Sequence, residues 1–277
     1  MRKRLAVIPK TVWWVLTAAL ALLIFFPFWY MISMSVTPDS DILSNNVSLW
    51  PAHLYFGNIV KALTQTPLVR QFLNTLVVSL AILLLQIVTS VMAAYAFAFL
   101  EFKGKKVLFL VILSTMMVPG EVTIISNYLT VGSWHWLDTY QALILPYAAS
   151  ALGIFLIRQY FLTMAKEIHE AAMIDGCGNV LFLVKIAVPL ARPIIAAFSI
   201  ASFLSSWGLY MWPLLVTSKS EMRMVQVGIS ALQDADSALS FGIALAGVAI
   251  VTLPSLIVFI LGHKQLVEGM MSGAVKG

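Results

Sequence analysis

The sequence predicts an all-α membrane protein that crosses the bilayer six times and carries one helical loop in water between its fourth and fifth crossings. Three observations predict this. Of 277 residues, 61% are hydrophobic and only 10% are charged, far outside the range of soluble globular domains. The apolar residues fall in runs long enough to cross a core of about 30 Å at about 1.5 Å per residue. The basic residues gather in alternate connecting segments. The net charge of +5 could suggest nucleic acid, but the basic residues lie in short inter-span loops, where they set topology, and no nucleic-acid motif is present.

Arg2, Lys3, Arg4 and Lys10 precede the first apolar run, Thr11 to Met34. A signal peptide would have a shorter apolar region and a small-residue cleavage site, so this run is read as the first crossing. Residues Ser35 to Gln71 follow as a polar connection with an interfacial helix expected from Gly57 to Leu63 and with Trp50 and Tyr55 suited to an interfacial belt. The second crossing runs from Phe72 to Phe97, with Gln86, Thr89, Ser90 and Tyr95 as its polar members. The third starts near Val107 and continues to Val131, interrupted at Pro119, Gly120 and Glu121; the fourth runs from Tyr140 to Leu156 and ends at Arg158 and Gln159. The fifth occupies Ile194 to Val216 and the sixth Phe241 to Leu261. No tandem repeat or low-complexity tract interrupts the chain, which reads as a single membrane domain over residues 1–277.

An even number of crossings places both termini on one side, and the basic residues say which. Arg2, Lys3, Arg4, Lys10, Lys103, Lys105, Lys106, Arg158, Lys166, Lys185, Arg192, Lys264 and Lys276 fall on the side of the termini, thirteen of the seventeen. Lys61, Arg70, Lys219 and Arg223 fall on the other. The positive-inside rule therefore puts both termini, and the loop between the fourth and fifth crossings, in the cytoplasm.

That loop, about residues 165–190, contains EAAMIDGCGNVLFLVKIAVPLARP from Glu170 to Pro193. Its charges and its Gly-x-Gly break forbid burial in hydrocarbon. Glu170, Ala171, Ala172, Met173 and Ile174 favour a helix, Gly176 and Gly178 supply the left-handed or open backbone that stops it, and a second helix can run from Asn179 to Val188. Pro189 and Pro193 fix the turn back into the membrane. The two alanines leave a flat face for close packing, and Glu170 and Asp175 can pair with basic groups.

At these residues the sequence resembles the permease subunits of ABC importers, whose signature is Glu-Ala-Ala, three residues, Gly, nine residues, then Ile-x-Leu-Pro. Here Glu170, Ala171 and Ala172 are followed at that spacing by Gly176, Ile186 and Pro189, with Val188 in place of Leu. The resemblance implies that the loop is a coupling helix, which docks in a cleft of a separate ATPase subunit and transmits its closure to the membrane helices. Glu170, Ala171, Ala172, Met173, Asp175, Gly176, Gly178 and Pro189 are the residues it assigns to that contact. The alternative is an ordinary amphipathic connector.

No phosphate loop is present, because Lys103-Gly104-Lys105 lacks the upstream glycine and the following Ser or Thr; the chain is not expected to be an enzyme. His53, His135, His169 and His263 are scattered without metal-ligand spacing, so no metal is expected. No Ser-His-Asp or paired-carboxylate pattern appears. The one cysteine, Cys177, excludes an internal disulfide and reads as a small turn residue.

Three further places are candidates. Glu121 lies fifteen residues beyond Lys106, about 22 Å along a continuous helix and still short of the far interface. A carboxylate there should face a water-filled pathway or open a resumed helix, unless the break simply marks the outer interface. In the fifth crossing, Ser206, Trp207 and Tyr210 could line a sugar pathway, with aromatic faces on C–H surfaces and hydroxyls on hydroxyls; the alternative is helix packing and an aromatic belt. This tract resembles the family's Trp-Asn-containing fifth helix, with Gly208 where Asn is usual. The tail, with Gly273 and Lys276, resembles that of carbohydrate permeases of the maltose type, whose tail enters the ATPase dimer interface; a frayed end is the alternative.

The resemblance extends from Trp50 and Pro51 to the last residue. It implies one of two transmembrane subunits of a bacterial importer of the carbohydrate-uptake class, embedded in the lipid of the inner membrane. The implied partners are a second permease in a heterodimer, an ATPase dimer that holds ATP and Mg²⁺, and an extracytoplasmic solute-binding protein. Few charges in the spans favour a neutral, hydroxyl-rich solute. Glycerol phosphate is the competitor, since Arg158-Gln159 and the Pro-Gly-Glu break also resemble glycerol phosphate permeases. A secondary transporter or channel would need intramembrane relays or inverted repeats, and neither is visible.

Overall fold

A computed structural model describes residues 9–42, 49–164, 166–232 and 241–272, and among them every regular element is helical. Helix α1 (Lys10–Ser35) is the first expected crossing, exposed from Lys10 to Phe28 and buried only at Ser33, Met34 and Ser35. Apolar residues on every side of a helix suit hydrocarbon and not water. The short α2 (Asp39–Ile42) and α3 (Gly57–Thr64), the helix expected at the interface, follow. Helix α4 (Leu68–Phe99) spans 32 residues, several more than its expected apolar run.

The next two expected crossings are bent helix pairs. Helix α5 (Lys105–Thr115) and α6 (Gly120–Ser133) meet at 96°. Pro119 has no N–H and its ring disfavours a helical residue before it, so α5 ends and α6 begins anew after Pro119. A depth for Glu121 counted along one axis from Lys106 is therefore incorrect, because the axis turns through nearly a right angle before reaching it. Helix α7 (Tyr140–Ile144), a 3₁₀ turn containing Pro146, and α8 (Ala151–Phe161) bend by 40°. Ser150 caps α8, its Oγ accepting from the Gly153 N–H at 3.2 Å. The helix runs past Leu156, the expected end, and carries Arg158 in its last turn.

Helix α9 (Lys166–Ile174) and α10 (Asn179–Phe182) flank the glycine break, and a π-helical stretch, Leu183–Ala187, leads to α11 (Val188–Leu190). After a 79° turn, α12 (Arg192–Trp207) enters the fifth apolar run. It stops at Gly208 and resumes as α13 (Met211–Val216), a break the continuous span Ile194 to Val216 did not foresee. Then come α14 (Val225–Leu232), in a segment expected to be loop, and α15 (Phe241–Ser272), eleven residues longer than its apolar core. Three helices, α1, α4 and α15, are long and apolar enough to cross a membrane, and up to six crossings result if each bent pair counts as one.

The chain divides into two compact units, one comprising the described residues of Met1–Leu68 and Ile229–Thr252, the other those of Val69–Gly228 and Leu253–Gly277. In the first, buried Asn58 donates Nδ2 to the Thr37 carbonyl at 2.8 Å, and the Asp39 Oδ1 accepts from the Gly242 N–H at 3.2 Å. Trp29 and Trp50 pack at 4.5 Å between ring centres.

In the second unit, α4, α8 and α12 pack against one another around Gly153. A Cβ there would sit 2.5 Å from Ser90 Oγ and 2.5 Å from Phe198 Cζ, so only glycine permits this approach. Near the start of α4, buried Asn74 donates to the carbonyls of Glu221 (2.6 Å) and Arg223 (3.1 Å) and accepts from the Tyr140 hydroxyl (2.8 Å). Those bonds pin the connection between α13 and α14. One apolar core gathers Phe161, Ala172, Phe182, Ala187, Ala191, Ile194 and Phe198, with Val91, Ala94 and Tyr95 of α4.

Candidate functional site

The 166–190 loop has two faces. On α9 the inward face carries His169, Ala172 and Met173, the i, i+3, i+4 spacing of one helical stripe, and Ala172 is 8% exposed. Glu170, Ala171, Ile174 and Asp175 face outward. The two alanines thus separate: Ala172 packs into the body of the protein and only Ala171 remains on the outer surface. Gly176 takes φ +79°, the left-handed conformation its place after the helix calls for, and Gly178 takes φ −69°, ψ 159° as the cap of α10. The Cys177 N–H reaches back to the Ala172 carbonyl at 2.9 Å, closing the turn. Pro189, half-buried, begins the bend towards α12.

The outward face is more apolar than its charges suggested. Ile174 is 86% exposed and Val180 75%, and Leu181 and Val184 are exposed beside them. Exposed apolar side chains thus accompany Glu170 and Asp175 in this segment. Their signal in the sequence is an isoleucine and a valine flanking the Asp-Gly-Cys-Gly turn.

Of the pathway candidates, Ser206 lines a cleft of about 150 Å³ together with Gln86, Tyr147, Ser150, Ser202 and Ser205. Its hydroxyl donates to the carbonyls of Ser202 (2.9 Å) and Phe203 (3.0 Å), so it is already engaged with its own helix. Gln86 bridges the cleft, its Nε2 donating to the Tyr147 carbonyl at 2.8 Å and its Oε1 accepting from Ser202 Oγ at 2.7 Å. Apolar residues complete the lining, and among the described residues no charged side chain belongs to it. Gln86 is the residue that sequence reasoning noted only as a polar member of the second span; its partners arrive from sixty and more positions away.

Trp207 does not line the cleft. It is 2% exposed, edge-on to Phe72 at 5.3 Å and stacked on Phe203 at 5.6 Å. Tyr210 is exposed in the break between α12 and α13. Glu121 is exposed in the first turn of α6, where free N–H groups and the helix dipole favour an anion. Arg158 donates Nε to the Phe97 carbonyl at 3.2 Å and lies 4.1 Å above the Phe109 ring, which engages the guanidinium in the last turn of α8. Gly273 and Lys276 lie outside the described residues. Among those residues no group of three His, Cys, Asp or Glu side chains converges as a metal site.

Comparison with known proteins bears on the whole chain. The family model described as binding-protein-dependent transport system inner membrane component matches residues 86–264. The arabinooligosaccharides transport system permease protein AraQ of Halalkalibacterium halodurans is 32% identical over 270 residues, covering 95% of this chain and 96% of that one. The sn-glycerol-3-phosphate transport system permease protein UgpE of Agrobacterium fabrum is 33% identical over 258 residues, covering 90% and 92%. Among solved structures, the fold matches a chain of a bacterial ABC transporter involved in the import of the acidic polysaccharide alginate, with a TM-score of 0.85 at 23% identity over 92% of this chain and 95% of that chain. The protein is thus a multi-pass membrane permease subunit of an ABC importer and belongs to the family of inner membrane components of binding-protein-dependent transport systems.

Proposed function

We propose that this subunit imports a neutral sugar or oligosaccharide, pairing with a second permease to enclose the pathway. In this reading the chain crosses the membrane six times with both termini in the cytoplasm. An ATPase dimer receives the 166–190 loop there, and a solute-binding protein delivers cargo on the other side. ATP is hydrolysed, with Mg²⁺, in the ATPase subunits, and their closure drives the permease pair between inward- and outward-facing states by rigid-body motion. A self-sufficient carrier or channel has no support once the family is known.

The observation that carries the proposal is the division of labour in the loop. Its inner stripe of His169, Ala172 and Met173 is committed to the core, while Glu170, Ile174, Asp175 and Val180 are presented to a partner. A push on the outer face therefore moves the helices behind it. The uncharged lining of the cleft supports a hydroxyl-rich solute, since Gln86, Ser202 and Ser205 can exchange hydrogen bonds with one but cannot neutralise a phosphate.

Glycerol phosphate is the second reading, favoured by the 33% identity to a glycerol-phosphate permease. Reconstitution with the partner subunits in liposomes tests both. ATP-driven uptake of a labelled arabino-oligosaccharide and not of sn-glycerol 3-phosphate is the expected result; the reverse assigns the anion. Binding-protein-independent transport by this chain alone overturns the assembly described above.

A further inference from the structure

We infer that His169 is a positioning residue for energy coupling: its ring keys the 166–190 loop to the end of α4. This rests on the reading of that loop as the ATPase contact. The His169 ring lies nearly parallel to Phe99 (4.9 Å, 22°) and edge-on to Phe182 (4.8 Å, 86°), and Phe182 is itself edge-on to Phe99 (5.4 Å, 77°). Three rings from three elements, α4, α9 and α10, thus touch pairwise. A single contact fixes a distance; a closed triangle of flat rings also fixes an angle.

The ring is held by packing. His169 Nε2 is buried and has no hydrogen-bond partner among the described residues, so no directional bond to them ties that edge of the imidazole. Phe99 continues the contact into the body, tilted against Tyr95 at 5.3 Å and Phe161 at 5.8 Å. A second tie runs beside it, the Tyr95 hydroxyl donating to Asn179 Oδ1 at 2.9 Å. Displacing α9 therefore displaces the last turn of α4.

Helix α4 then acts as a rod. Gln86, which bridges the cleft, lies thirteen residues before Phe99 on the same unbroken helix, about 20 Å away at the helical rise. A tilt imposed at the ring triangle reaches Gln86, and with it Ser202 and the Tyr147 carbonyl. Spatial continuity alone does not establish coupling, so the test must read motion at the cleft.

The complex of this chain with its partner permease and ATPase provides it, with Cys177→Ser removing the single native cysteine of this chain and Ser205→Cys reporting from the cleft. The readout is the rate at which a maleimide labels position 205, with and without ATP trapped by vanadate, and no solute is needed. In the reporter background, trapping should change that rate at least about tenfold, the factor corresponding to about 1.4 kcal/mol. His169→Leu keeps apolar volume but no flat ring; the change should fall below about twofold while the ATPase still copurifies in full, because His169 faces inward. His169→Phe should restore it.

A full response in His169→Leu overturns the inference, as does failure of His169→Phe to restore it. Loss of the ATPase from the His169→Leu complex would likewise overturn it, by making the residue part of loop folding. If the reporter background itself shows no response to nucleotide, the proposed alternating access at the cleft fails instead.

Discussion

Two glycines two positions apart in the loop should respond oppositely to the same substitution. Gly176 holds φ +79°, whereas Gly178 holds φ −69° and ψ 159°, which any residue can adopt. At both, an added Cβ would meet nothing within 4 Å, so sterics with neighbours cancel from the comparison. What remains is the backbone: a non-glycine residue in the left-handed region costs about 1–2 kcal/mol. Gly176→Ala should therefore shift the loop towards other conformations and leave the native one at about a fifth to a thirtieth of its former weight. If docking needs the native turn, the apparent Kd for the ATPase subunit rises by up to the same factor, at most roughly 5- to 30-fold. Gly178→Ala should leave it within about twofold, since its extended backbone tolerates alanine. The assay is titration of the detergent-purified permease pair with fluorescent ATPase subunit, free of nucleotide. Equal effects of the two substitutions, or a larger effect at Gly178, would refute the argument that the left-handed turn presents the docking face.

Other consequences follow from the cleft and the helix packing. Gln86→Leu removes the bridge between Ser202 and the Tyr147 carbonyl, and should raise the half-saturating concentration of a neutral solute in proteoliposome uptake about tenfold. Gly153→Ala places a methyl about 1 Å too close to Ser90 and Phe198, costing about 1–3 kcal/mol, and should lower the unfolding temperature of the purified complex by several degrees; adding Ser90→Gly should recover part of the loss. Glu121→Ala should reduce uptake while leaving assembly intact, as judged by copurification; full transport in that variant removes Glu121 from the functional residues.

Much of this was legible in the residues because it depends on local chemistry. Burial in lipid demands apolar runs with internally satisfied backbones, so the ends of α1 and α3 and the interruption at Pro119 fall where composition puts them. The loop's helix-turn-helix was likewise readable, since Gly176 and Gly178 act on their own backbones. Helix α14 was missed because its residues look like any moderately apolar connection. In its segment, the Val225 N–H is held by Thr75 Oγ1 at 2.8 Å, a contact across 150 positions.

By itself, then, the sequence determined that the chain is a helical membrane protein with a signature helix-turn-helix loop, because hydropathy and glycine conformation are properties of neighbouring residues. The tertiary structure alone decided which side of each helix does what. It turned Ala172 and His169 inward and left Ile174 outward, buried Trp207 against Phe72, and spent Arg158 on Phe97 and Phe109. It also brought Gln86 to Ser202 and Tyr147 across the cleft. In an apolar run every face looks alike to composition, and only the close approach of helices at residues such as Gly153 fixes which faces pack, and with them the groups left to meet a solute.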